Sequence, residues 1–71
     1  MNPYKELANA IIVQAVKDYR TALNQLSLNP NDKVAQSEKK SIERFFRSDF
    51  FSILTDLNGE VILAKLKEVS V

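Results

Sequence analysis

An all-α fold follows from three features of this 71-residue chain. It holds one glycine and two prolines, too little turn material for a many-stranded sheet. Apolar residues recur every three or four positions through residues 4–26, the spacing of one face of a helix. Helix-start signals then punctuate the chain at Asn2-Pro3, Asn29-Pro30, Ser48-Asp49 and Asn58-Gly59. The expected architecture is a small compact helical bundle of three main helices plus a short one. Their expected spans are 3–27, 31–47, 49–55 and 59–69, within a single domain covering 1–71.

The first helix is expected to take Asn2 as its N-cap, with Pro3 in the first turn, where a missing N–H costs nothing. Tyr4, Leu7, Ala8, Ile11, Ile12, Ala15, Val16, Tyr19, Ala22, Leu23 and Leu26 share one half of its cylinder. Leu28-Asn29-Pro30 ends it, because the residue before a proline is pushed out of helical geometry. Such a helix is roughly 36 Å long, more than the remaining ~40 residues can cover, so a homodimer is a candidate assembly. Asp18 falls near the edge of the apolar arc and needs a partner there. Val13 lies opposite the arc, as an apolar spot on the outer face, and Arg20 is close by.

The loop at 27–32 leads to a second helix expected to start at Pro30 or Asn31. Val34, Ala35, Ile42, Phe45 and Phe46 form its apolar arc. Lys33, Lys40, Arg44 and Arg47, at spacings of 7, 4 and 3, fall within roughly 60° of each other on the opposite face. Ser48 has the chemistry of an N-cap, so a bend is expected there, with one continuous helix over 31–54 as the alternative. A bend lets all four phenylalanines (Phe45, Phe46, Phe50 and Phe51) converge with Tyr19 in one aromatic core. Phe50 or Phe51 is then the expected edge of that core, should a partner use it as an anchor. Asn58 is the expected cap of the last helix, which turns Ile62, Leu63, Leu66 and Val69 to one side.

Composition excludes several function classes. Cysteine and histidine are absent, which removes disulfides, zinc-finger ligand sets and Ser-His-Asp or Cys-His catalysis. No two carboxylates are spaced for shared acid–base work, so the reading is non-enzymatic, without metal or cofactor. Ten basic and nine acidic residues give a net charge of +1, no global signal for nucleic acid or membrane. The N-terminus lacks a signal peptide, and no apolar run approaches the ~20 residues needed to span a bilayer, so a cytoplasmic location is expected. Opening at Met1, the chain reads as a complete small gene product.

Two polar constellations stand out. Val13 and Arg20 on the first helix, with Lys33, Lys40, Arg44 and Arg47 on the second, form a candidate interaction surface. The basic residues among them suit a protein partner, with DNA held as the alternative because no base-reading Asn or Gln flanks them. Gln14, Asp18, Arg44, Arg47 and Ser48 form a candidate structural polar network, in which Asp18 would meet Arg44 or Arg47 if the first two helices pack antiparallel.

The strings AIIVQAVKDYRTAL (10–23) and IERFFRSDFFSILTDLNGEVILAKL (42–66) carry a QAxKDYR…ERFFRSD[WF]F…GE pattern. In this the chain resembles a group of small uncharacterised proteins of phages, prophages and conjugative elements of Gram-positive bacteria. Phe50 stands where tryptophan is common in that group, and Asn58 where aspartate is common; residues 24–41 lie outside the likeness. The resemblance implies an accessory gene of a mobile element in a bacterial host, with a host or element-encoded protein as partner. It also singles out Gln14, Asp18, Tyr19, Arg20, Arg44, Arg47 and Ser48.

Overall fold

A computed structural model describes residues 3–69, with side chains over 3–68; Asn2 and the side chain of Val69 lie outside the described residues. Four helices follow one another: α1 (Pro3–Leu28), α2 (Lys33–Phe46), α3 (Asp49–Leu54) and α4 (Gly59–Val69), with no strand among the described residues. At about 1.5 Å per residue α1 is roughly 39 Å long. That nearly equals the 42 Å long axis of the molecule, against 20 and 19 Å across. α1 is therefore the spine, and the three shorter helices pack along it.

Local chemistry sets each boundary. α1 continues to Leu28, one residue beyond expectation. α2 starts at Lys33 rather than at Pro30 or Asn31, because Asp32 is its N-cap: the carboxylate accepts from the Ala35 N–H at 3.1 Å. Asn29 is spent elsewhere. Its side chain accepts from the Asn31 N–H at 3.2 Å and its carbonyl from the Asp32 N–H at 3.1 Å, which closes a turn before the helix.

The expected bend at Ser48 is present, and the continuous-helix alternative is not. The Ser48 hydroxyl donates to the Phe45 carbonyl at 2.6 Å and accepts from the Phe51 N–H at 3.2 Å, so one side chain ends α2 and begins α3. Asn58 caps α4 as expected, accepting from the N–H groups of Glu60 at 2.9 Å and Val61 at 3.4 Å. Gly59 beside it is buried directly against the Phe46 carbonyl, where a Cβ would collide with backbone.

The core gathers Ile12 and Tyr19 from α1, Phe46 from α2, Phe51 from α3 and Leu63 from α4, with Val16, Leu23, Ile42, Phe45, Ile62 and Leu66 packed around them. The rings of Phe45, Phe46 and Phe51 meet pairwise edge to face at centroid distances of 5.2–5.6 Å. Ala22 and Ala35, both fully buried, leave room for α1 and α2 to approach closely.

Three expectations about burial need correction. Phe50 is not core: 6.2 Å from Phe45 and 54% exposed, it turns outward from the cluster. Val34 is exposed at the start of α2, and Tyr4 and Leu7 are exposed at the start of α1. For Tyr4 and Leu7 the cause is length. α3 is six residues long and cannot roof the N-terminal two turns of α1.

Candidate functional site

The polar centre of the bundle is Glu43, not Asp18. Tyr19 is fully buried, and its hydroxyl donates to Glu43 Oε2 at 2.7 Å. Lys39 Nζ meets the same oxygen at 3.0 Å and Lys67 Nζ at 3.5 Å. Burial pushes the Glu43 carboxyl up, but the Tyr19 hydroxyl and the two ammonium groups outweigh it and hold the group below the usual carboxylate range. Burial, and then the bond to an anionic Glu43, push the Tyr19 phenol up. One carboxylate thus ties α1, α2 and α4 together, and no buried side-chain polar atom among the described residues lacks a partner.

The expected network of Gln14, Asp18, Arg44, Arg47 and Ser48 is divided. Gln14 Nε2 donates to Asp18 Oδ1 at 2.9 Å, one turn away on the exposed edge of α1. Arg47 Nε pairs with Glu60 of α4, and Ser48 serves as the cap described above. The expected Asp18–arginine pair is not among the contacts of the described residues: Asp18 is bonded by Gln14 on its own helix, and Arg47 is engaged by Glu60 of α4.

Lys33, Lys40 and Arg44 are exposed, as the sequence implies for a basic face. A shallow depression of about 430 Å³ is lined by Lys40, Glu43, Arg44, Arg47 and Ser48. Its charge is diluted by Glu43 and by the Arg47–Glu60 pair. Val13 and Arg20 are exposed on the outer side of α1, on a different helix from the stripe, and line no part of this depression.

A larger concavity runs along the other edge of α1. An open cleft of about 770 Å³ lies between the first turns of α1 and the α3–α4 connection, with Leu7, Ile11, Phe50, Ile53 and Leu57 among its walls. Leu7 is 61% exposed and both Tyr4 and Ile53 are 81% exposed. At Ile11 the cleft passes into a second hollow of about 350 Å³, lined by Ala15, Ile42 and Phe45 with Gln14, Asp18 and Ser41. At Asp18, Ser41 and Ile42 it passes into a third of about 320 Å³ that also includes Glu38. The three hollows adjoin through these shared residues; Lys5 and Asp56 both line the first, and the acids Asp18 and Glu38 line the third.

Sequence reasoning missed Leu7, Ile53, Leu57 and Glu38 as surface features. The available signal was the mismatch between a long apolar arc on α1 and the short segment left to cover it. Isolated exposed apolar residues are ordinary, whereas a contiguous set in a concavity marks a contact surface. The described residues include no group of three or more acidic side chains placed to hold a metal ion, and no helix long and apolar enough to cross a membrane. No family model matches the chain, and neither the curated proteins nor the solved structures include a significant match.

Proposed function

We propose that this chain is a non-enzymatic accessory protein of a phage or mobile element, acting in the bacterial cytoplasm through protein–protein contact along the α1 groove. The observation that carries the contact surface is the contiguous exposure of Leu7, Phe50, Ile53 and Leu57 around one cleft. The mobile-element setting rests on the QAxKDYR and ERFFRSD resemblance. The test is affinity capture from cells carrying the element, with wild type beside Leu7→Glu and Ile53→Glu. Both substitutions lie at exposed positions, so folding is retained while capture is lost. Equal capture by wild type and both variants contradicts the assignment.

A second reading uses the exposed Lys33, Lys40 and Arg44 on one face of α2 to contact nucleic-acid phosphates. It predicts duplex binding that weakens steeply with salt, and a shallower slope in Arg44→Ala. Absence of duplex binding at low salt removes it.

A further inference from the structure

Beside the cleft, the end of the α3–α4 connection holds a reactive pair, Asn58-Gly59. Of the asparagines in the chain, Asn58 alone is followed by glycine. Asn2 and Asn29 precede prolines, whose nitrogen carries no proton and cannot act as a nucleophile. Asn9 and Asn24 lie within α1, where the backbone is held in helical bonds. Asn31 precedes Asp32, whose β-carbon crowds the following nitrogen. Gly59 has no side chain to shield its nitrogen, and Asn58 is exposed to water.

We propose that Asn58-Gly59 is a self-modification site, at which Asn58 loses its amide when the first turn of α4 opens. The Gly59 nitrogen gives up its proton and attacks Asn58 Cγ. The new C–N bond closes a cyclic imide, the bond from Cγ to Nδ2 breaks, and the amide leaves as ammonia with that proton. Water then opens the ring at either carbonyl, giving aspartate or isoaspartate at position 58. Water is the only co-reactant, and nothing is oxidised or reduced.

The fold holds this chemistry back. Asn58 Oδ1 accepts from the N–H groups of Glu60 at 2.9 Å and Val61 at 3.4 Å, and its carbonyl accepts from the Ile62 N–H at 3.2 Å. Ring closure has to turn the Asn58–Gly59 peptide, yet Gly59 is fixed against the Phe46 carbonyl. The reaction therefore runs from the opened form, and its rate follows the population of that form. The two products differ. Aspartate keeps an acceptor for both N–H groups and places negative charge at the start of α4, where it is favoured. Isoaspartate adds a methylene to the main chain, which pushes Gly59 out of its space beside Phe46.

The test is a time course of the folded chain at neutral pH beside the same chain in urea, read by intact mass and by peptide mapping with isoaspartate detection. Conversion is expected first at position 58, roughly tenfold slower or more in the folded chain than in urea. Asn58→Ser keeps a capping oxygen but has no amide, so it should remove that conversion. The purified isoaspartyl form should melt below wild type, and Asn58→Asp at or above it. Faster conversion at another asparagine overturns the site, as does equal conversion in Asn58→Ser. Equal rates in the folded and unfolded chain overturn its control by the α4 cap, and an isoaspartyl form that melts like wild type overturns the consequence for Gly59.

Discussion

The Tyr19 hydroxyl, inside the bundle, donates to Glu43 at 2.7 Å, and Glu43 also receives Lys39 and Lys67. A buried phenol and a mostly covered carboxylate satisfy each other at the point where three helices meet. Removing the donor leaves the acceptor in place with two cations still attached. Tyr19→Phe is therefore expected to lower stability by about 1–2 kcal/mol, read from the urea midpoint at an unchanged slope.

The same pair contributes to the pH dependence on both sides of neutrality. Folded Glu43 holds its proton less tightly than the unfolded chain, whose carboxyl titrates near 4.5. Its contribution is complete above that value and is lost as pH falls through the lower folded value. Tyr19 behaves in the opposite sense: its folded value lies above the ordinary 10.0, so its contribution is complete below pH 10 and is lost as pH rises beyond it. Thermal melts across pH should show both limbs. Glu43→Gln should flatten the acid limb, and an unaltered acid limb in that variant contradicts the assignment.

Gly59 faces the Phe46 carbonyl with no room for a methyl group. Helix propensity alone favours alanine by about 1 kcal/mol at such a position. The collision is with backbone, which cannot rotate aside, so Gly59→Ala is expected to destabilise by roughly 2–4 kcal/mol. Chemical denaturation decides the sign.

Ser48 links two helices through one oxygen. Ser48→Ala removes the cap of α3 and is expected to cost about 1 kcal/mol, whereas Ser48→Asp keeps an acceptor for the Phe51 N–H and should cost less. Their difference in melting temperature measures the cap.

Features specified within a few residues were legible in the sequence. Ser48 and Asn58 act on N–H groups two or three residues away, so local chemistry sufficed to find them. Asp32 was hidden by the similarity of Asn29-Pro30 to Asn2-Pro3, since both asparagines have capping chemistry and only the turn around Asn29 shows that it is otherwise engaged. Glu43 was illegible for a different reason. It sits on α2 between the apolar arc and the basic stripe, and its role depends on Tyr19 and Lys67 arriving from 24 positions away on either side in the chain. Asp18, more conspicuous on its own helix, is satisfied by Gln14 one turn away. The groove was only half legible: periodicity shows an apolar arc on α1, but the exposure of Leu7 and Ile53 depends on where α3 stops.

Photo-crosslinking in cells tests the contact surface most directly, with a photoreactive side chain placed in turn at Leu57 in the groove, Arg20 on the outer face of α1, and Arg44 on the basic stripe. All three positions are exposed, so each probe should leave the fold intact. The account predicts protein crosslinks from position 57, to a second copy of the chain or to another protein, and none from positions 20 or 44. Crosslinks from position 20 or 44 with none from 57 would contradict it.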